Sequence, residues 1–133
     1  MSQADRTVRE GELIAVYGLL RAGQSGFERF GLAHAFKPVG SCRIAGRLYD
    51  FGRYPALVAG AGEVRGEMFE VRDASVIAEL DAYEDYWPND PGRSRYERVR
   101  AQLIEPDRKA WVYLWIKALT GARFIESGDW FNR

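Results

Sequence analysis

The spacing of apolar and polar residues along the chain predicts a protein built mainly of short β-strands. A period of two is typical of a strand that buries one face, and a short apolar run bounded by glycine indicates a buried strand. Six segments fit one of these descriptions: 13–17, 40–49, 54–58, 63–71, 96–104 and 110–116. Gly60-Ala61-Gly62 predicts a turn between two of them. Pro55 predicts an edge position, because proline lacks the N–H that a central strand needs.

A different pattern, with the 3.6-residue period of a helix, begins near Asp73, which is a suitable N-cap. Its apolar positions occupy one sector of the helical wheel: Val76, Ile77, Leu80 and Tyr83. Glu79 lies opposite that sector, and Asp81 and Asp85 lie beyond its edge, whereas Glu84 lies inside it. Burying an unpaired charge is costly. Glu84 is therefore paired with an arginine, neutral, or used in chemistry, unless the helix frays before it and the side chain faces water.

Between the first two strands lies a loop bracketed by glycines at positions 18, 23 and 26. A strand that ends in such a loop leaves backbone N–H groups free to hold an anion or a developing oxyanion. A plain strand-to-helix turn explains the glycines equally well. A helix is predicted over residues 27–36, with Pro38 after it as a stop, and we expect His34 on its surface.

Composition narrows the kinds of partner. The length of 133 residues predicts a single domain, in which we expect residues 1–10 to be flexible. Nineteen basic residues balance nineteen acidic ones. A net charge of zero gives no reason to expect a nucleic acid or a membrane surface as partner.

The scarcity of cysteine and histidine limits the chemistry further. The chain has one cysteine, Cys42, which we expect to serve packing, and one histidine, His34. A disulfide within the chain is excluded, and the usual zinc sites lack their ligands. We therefore expect no metal and no cofactor. No apolar run reaches membrane-spanning length, and the first six residues lack the apolar segment of a signal peptide, so we expect a cytoplasmic protein.

Six strands, two short helices and many aromatic residues predict an α+β fold, a small mixed β-barrel flanked by short helices. The helix that ends at Glu84 is then expected to plug or rim one mouth of the barrel. Barrels of this size enclose side chains or one small ligand.

Several short motifs follow one another in a recognisable order from about residue 13 to residue 130. They are Val16–Gly23, Gly46–Asp50 with Tyr54–Val58, Val64–Phe69, Leu80–Tyr86, Ser94–Arg98 and Ala110–Tyr113. Together they resemble the gamma-glutamylcyclotransferase-like proteins, also called AIG2-like. The resemblance implies their fold, a small β-barrel flanked by helices.

The resemblance also implies a reaction and residue roles. The free α-amine of a γ-glutamyl group attacks its own γ-carbonyl, which releases 5-oxoproline and an amine or amino acid, and the reaction requires neither a metal nor a covalent nucleophile. The catalytic acid/base of the family is the glutamate of a Leu-Asp-x-x-Glu block, here Glu84. The loop that holds the glutamyl end of the substrate corresponds to Tyr17, Gly18, Leu19 and Leu20. Position 19 departs from the pattern, because relatives often carry serine or threonine there.

Other points stay open at this stage. Tyr96 and Arg98 share one face of a strand and are expected to orient Glu84 or the α-carboxylate of the substrate, unless they are ordinary sheet-surface residues. The substrate is expected to be a small γ-glutamyl compound: a dipeptide, an amine derivative, glutathione or a larger adduct. A different class of function is a non-catalytic ligand-binding or interaction module on the same barrel, which Leu19 and the aromatic-rich loop from Tyr83 to Trp87 favour. The oligomeric state is left open.

Overall fold

The structure is a computed structural model, and it describes residues 5–133. Over this range the chain forms six strands: β1 (Leu13–Val16), β2 (Phe36–Asp50), β3 (Pro55–Val71), β4 (Tyr96–Gln102), β5 (Lys109–Trp115) and β6 (Arg123–Phe124). The helices over the same range are α1 (Ser25–Arg29), α2 (Leu32–Ala35) and α3 (Ile77–Tyr83), with 3₁₀ turns at Ala74–Val76 and Trp130–Asn132. No helix in the described range is long and apolar enough to span a bilayer.

The strands form one mixed sheet in the order β4-β5-β1-β3-β2-β6. Strands β1 and β5 run parallel, and the other neighbouring pairs are antiparallel. The sheet is curled, so that strands distant in this order approach each other. The backbone N–H of Arg43 in β2 donates a hydrogen bond of 2.8 Å to the carbonyl of Glu105 in the β4–β5 connection. The predicted α+β class is confirmed. The mixed sheet forms a half-barrel with short helices beside it.

The turn predicted at residues 60–62 is wrong, because β3 continues through these residues and pairs with β2 along most of its length. The glycines lie where the register of the two strands shifts, near Gly46 of β2 and Gly62 of β3. Both glycines have positive φ, 145° and 117°, and a Cβ on either would lie 2.6 Å from a carbonyl oxygen of the other strand. Glycine here permits a bulge that bends the hairpin rather than reversing the chain.

The helix predicted over residues 27–36 is also wrong in its extent. Two short helices, α1 and α2, replace it, and Gly31 between them adopts the left-handed conformation (φ 61°) that ends the first. Phe36 already begins β2, where it pairs with Val71. The β-forming aromatic residue and this pairing outweigh the local helical pattern. His34 is exposed in α2, as expected.

The core has two layers, one on each face of the sheet. Alternate residues of β1 face opposite layers, so that Ile14 and Val16 pack with the helices while Leu13 and Ala15 pack on the other side. Cys42 is buried in the second layer, as expected, and its burial raises the pKa of the thiol to about 12.

The described part of the N-terminal segment, residues 5–10, contacts the sheet and the segment that follows α3. Val8 is buried, and Arg6 donates hydrogen bonds to the hydroxyl of Tyr86 (2.9 Å) and to Glu97 (3.0 Å). The flexibility expected for residues 1–10 stays a prediction, because contacts in one structure do not test it. Residues 1–4 lie outside the described range.

Candidate active site

A cavity of about 560 Å³ opens where the end of β1, the β2–β3 loop, the end of α3 and the start of β4 meet. A volume of this order suits a small molecule. All the substrate-binding and catalytic residues expected from the sequence line this cavity: Tyr17, Gly18, Leu19, Leu20, Glu84 and Tyr96. The fold therefore brings together residues that lie up to 79 positions apart in the chain (17 to 96).

Glu84 lies directly after the last residue of α3. Its backbone N–H still bonds to the carbonyl of Leu80 (2.8 Å), so the residue completes the helical turn, and Asp85 then adopts a left-handed conformation (φ 55°) that turns the chain away. The Glu84 side chain is half-buried and faces the cavity. Among residues 5–133 it has neither an ion-pair partner nor a hydrogen-bond partner. The alternative in which an arginine holds it is therefore wrong.

The surroundings of Glu84 favour its neutral form. Burial is the main cause, the negative charge of Asp81 one turn earlier is the second, and together they raise the pKa of the Glu84 carboxyl to about 8. An acid with a pKa near neutrality can both accept and donate a proton at physiological pH. Glu84 thus has the properties of a general acid/base.

Asp81 has the opposite environment. Arg98 holds both of its carboxylate oxygens, with distances of 2.9 and 3.1 Å, and the hydroxyl of Tyr113 donates a third hydrogen bond of 2.7 Å. Arg98 is buried, and it also donates to the backbone carbonyl of Arg6 (2.8 Å). Arg98 is therefore not a sheet-surface residue, and the carboxylate that it orients is that of Asp81 rather than that of Glu84.

The loop formed by Gly18, Leu19 and Leu20, here called the glycine loop, presents unpaired backbone donors. Within the described residues, none of its three N–H groups donates to a protein acceptor. The loop is fixed through its carbonyls instead: that of Leu19 accepts from Gly26 (2.9 Å) and Phe27 (3.1 Å) in α1. Buried or half-buried N–H groups without partners are rare in proteins and are available for a ligand.

Gly18 has no room for a side chain. A Cβ at this position would collide with the ring of Pro55, which also lines the cavity. The carbonyl of Pro55 in turn accepts a hydrogen bond of 2.5 Å from the hydroxyl of Tyr96. Pro55 lies in the part of β3 that pairs only with β2, which agrees with the edge position predicted for it.

Three of the five phenols that line the cavity donate hydrogen bonds to the protein. Tyr17 donates to the backbone carbonyl of Tyr113 (2.6 Å), Tyr96 donates to that of Pro55, and Tyr113 donates to Asp81. Burial, assisted by neighbouring acidic groups such as Glu84, raises the pKa of these three phenols above the usual range. They remain neutral, so that towards a ligand their oxygens act as acceptors.

Three arginines surround the opening of the cavity, and sequence reasoning missed them. Arg29 ends α1, Arg53 lies in the β2–β3 loop and Arg95 precedes β4; we call them the cationic rim. All three are exposed. They come from distant parts of the chain and share no motif, so only the folded structure brings them to one opening.

Among the described residues, no group of three His, Cys, Asp or Glu side chains could hold a metal ion.

The chain matches a known family over nearly its whole length. The family described as "Gamma-glutamyl cyclotransferase, AIG2-like" matches residues 14–132. The chain belongs to this family. The match confirms the resemblance inferred from the sequence motifs.

Relatives with this family name are found among bacterial proteins. The gamma-glutamylcyclotransferase family protein YtfP of Escherichia coli K12 is 39% identical over 88 residues, which are 65% of this chain and 69% of YtfP. A protein of Vibrio cholerae named putative gamma-glutamylcyclotransferase is 34% identical over 123 residues, 91% of this chain and 96% of the relative.

Solved structures of other proteins share the fold. The solution structure of E. coli YtfP is 33% identical with a TM-score of 0.65, and the match covers 90% of this chain and 96% of YtfP. An uncharacterized Pyrococcus horikoshii protein is 26% identical with a TM-score of 0.66, covering 90% and 89% of the two chains.

Proposed function

We propose that this protein is a γ-glutamyl cyclotransferase that uses Glu84 as its general acid/base. The α-amine of a γ-glutamyl group attacks the γ-carbonyl carbon, a new C–N bond closes the five-membered ring, and the amide C–N bond breaks. The products are 5-oxoproline and the free amine or amino acid. The observation that carries the proposal is one cavity lined both by the unpartnered Glu84 and by the glycine loop, whose three N–H groups are unpaired.

Glu84 accounts for the movement of protons. The α-amine of the substrate is an ammonium group at neutral pH, so it must lose protons before and during the attack. The Glu84 carboxylate accepts a proton from this amine and returns one to the departing nitrogen, because an expelled amide anion would be far too basic. The cationic ammonium group of the substrate also supplies the counter-charge that Glu84 lacks in the free protein.

The glycine loop accounts for the charge on oxygen. The γ-carbonyl oxygen becomes negative in the tetrahedral intermediate, and fixed N–H donors stabilise that charge more in the transition state than in the substrate. Backbone donors do not depend on the side chain at position 19. Leu19 therefore leaves this contribution intact although relatives often carry a hydroxyl there.

The test is release of 5-oxoproline from γ-glutamyl dipeptides, γ-glutamyl amines and glutathione by the wild type and by Glu84→Gln. Glutamine keeps the size of the side chain and removes its acid/base function, and we expect kcat to fall about 10²–10⁴-fold. The matched control is Glu79→Gln, on the exposed opposite face of α3, which should retain wild-type turnover. Equal turnover by Glu84→Gln and the wild type would refute the role of Glu84.

The second candidate is a binding module without catalysis, and Leu19 is the feature that favours it. A module would bind γ-glutamyl compounds saturably without releasing 5-oxoproline from any of them. Calorimetric titration of the wild-type protein beside the turnover assay separates the two functions.

The pH dependence gives a second test of the same role. With a Glu84 pKa of about 8, only about one tenth of the free protein carries the carboxylate at pH 7. We expect kcat/KM to rise with pH up to about 8, because kcat/KM reports the ionisation of the free enzyme. We expect kcat to rise over a lower pH range than kcat/KM does, because the ammonium group of the bound substrate favours the carboxylate form of Glu84. A pH-independent kcat/KM between 6 and 9 would contradict the proposal.

A further inference from the structure

The cationic rim carries positive charge that the protein itself leaves uncompensated. Arg95 pairs with Asp85 at 3.3 Å, whereas Arg29 and Arg53 form no ion pair or side-chain hydrogen bond with any residue in the range 5–133. Arg29 instead lies against the rings of Phe30 and Tyr83, at 5.4 and 5.5 Å from their centroids. Three cations against one anion leave two positive charges at the opening of the cavity.

The chemistry of ring closure determines which part of the substrate reaches this rim. Both reacting groups, the α-amine and the γ-carbonyl, belong to the glutamyl half, so that half must lie beside Glu84 and the glycine loop. Glu84 is half-buried and Tyr96 is buried, whereas all three rim arginines are exposed. The leaving amine is the part that extends outwards, from the floor of the cavity to its opening.

We propose that Arg29 and Arg53 bind a carboxylate on the leaving amine, which makes γ-glutamyl amino acids rather than neutral or cationic γ-glutamyl amines the preferred substrates. The inference rests on the proposed cyclotransferase function and narrows its substrate class. Guanidinium groups are suited to carboxylates, because their planar N–H donors match the two oxygens. The rings of the half-buried Tyr54 and Tyr83 also line the cavity, and they offer the connecting atoms an apolar surface.

The test uses two substrates that differ only in the group in question. γ-Glutamyl-alanine and γ-glutamyl-isopropylamide have leaving amines of almost the same shape, but a carboxylate in the first replaces a methyl group in the second. In the wild type we expect kcat/KM to be about tenfold higher for the alanine compound, with about threefold from each of the two exposed arginines. This preference should shrink as salt rises from about 0.05 to 0.5 M, because screening weakens the attraction.

The variants are Arg29→Gln, Arg53→Gln and the double substitution, with Arg108→Gln as control. Arg108 is exposed in the β4–β5 connection, outside the cavity. The preference for the alanine compound should fall severalfold in each single variant and approach one in the double variant, while Arg108→Gln retains it. An unchanged preference would overturn the inference. An equal loss on both substrates would also overturn it, because the arginines would then serve the glutamyl half.

Binding to Glu84→Gln separates failure of this inference from failure of the proposed function. We expect this variant to turn over about 10²–10⁴-fold more slowly, so that calorimetry measures its preference between the two bound compounds directly. Suppose that the wild type releases no 5-oxoproline, but that Glu84→Gln binds the alanine compound more tightly and loses this preference when Arg29→Gln and Arg53→Gln are added. The anion site is then supported and the enzyme function is refuted. If Glu84→Gln binds the two compounds equally well, the anion site is refuted, whether or not the wild type releases 5-oxoproline.

Discussion

The half-buried, unpartnered Glu84 makes the stability of the fold depend on pH in an unusual direction. Most carboxylates in folded proteins gain partners, their pKa falls, and they stabilise the fold as pH rises. The pKa of Glu84 instead rises from 4.5 to about 8. Between these two values the folded state holds a proton that the unfolded state has released, so the free energy of unfolding falls as pH increases. Below pH 4.5 Glu84 does not lower the free energy of unfolding, and above pH 8 the loss of stability that it causes is complete.

The size of the effect follows from the shift. Each pH unit within the window costs about 1.4 kcal/mol. At pH 7, which lies 2.5 units above 4.5, the upper bound is about 3–4 kcal/mol. The side chain keeps contact with the water of the cavity, so we expect about 1–3 kcal/mol. Glu84→Gln removes the ionisation, and the variant should exceed the wild type in stability by this amount at pH 7 and match it at pH 4.5.

Urea denaturation of both proteins at pH 4.5, 6, 7 and 8.5 measures this difference, since the midpoint and slope give the free energy of unfolding. Glu79→Gln, exposed on the same helix, is the control and should show no such widening gap. A gap between wild type and Glu84→Gln that stays constant across the series would refute the reasoning. So would a gap that closes with rising pH, because it would mean that a partner stabilises the carboxylate.

Three further substitutions test the surroundings of Glu84. Asp81→Asn should shift the rise of kcat/KM to lower pH, because it removes the negative charge that helps to raise the Glu84 pKa. In urea denaturation the same variant should lose about 3 kcal/mol in the free energy of unfolding, because the buried ion pair with Arg98 is broken. Gly18→Ala should fold but lose about 10²-fold in kcat/KM, because its Cβ collides with Pro55 and displaces the loop donors; circular dichroism checks the fold. Tyr96→Phe should cost about 1–3 kcal/mol in urea denaturation, because the carbonyl of Pro55 loses its donor.

Sequence periodicity predicted the helix that carries Glu84 because the signal there is local. Apolar residues at Val76, Ile77, Leu80 and Tyr83 define one face of α3 whatever the rest of the chain does, and Glu84 remains on that face because its N–H completes the last turn. Asp73 caps the segment as predicted, accepting from the N–H of Ser75 at 3.0 Å. The inward direction of the Glu84 side chain could therefore be predicted from sequence.

The errors arose where long-range pairing overrides a local signal. Gly60 and Gly62 have the composition of a turn, but β2 and β3 pair on both sides of them, and the chain uses their freedom for a bulge. Residues 27–36 have helical spacing, yet Phe36 pairs with Val71 and begins a strand. Neither pairing is visible from the residues nearby.

The environment of Arg98 also depends on which face of β4 is covered. Alternation correctly placed Arg98 and Tyr96 on one face, but it does not show that α3 covers that face and brings Asp81 to the guanidinium. The same holds for the cationic rim, which three separate elements assemble. Sequence patterns predict which residues share an element, whereas ion pairs between elements follow from packing.

Asp81 and Glu84 lie three positions apart, but only Asp81 has an ion-pair partner among the described residues. β4 supplies Arg98 to Asp81, while Glu84, one turn further on, projects past the sheet into the cavity where no described cation pairs with it. Arg29 and Arg53 at the opening lack anions in the same way. A γ-glutamyl amino acid carries an ammonium group and an α-carboxylate on its glutamyl half, and a second carboxylate on the leaving amine. It would therefore complete both groups at once, which is why the two proposals made for this cavity fit a single ligand.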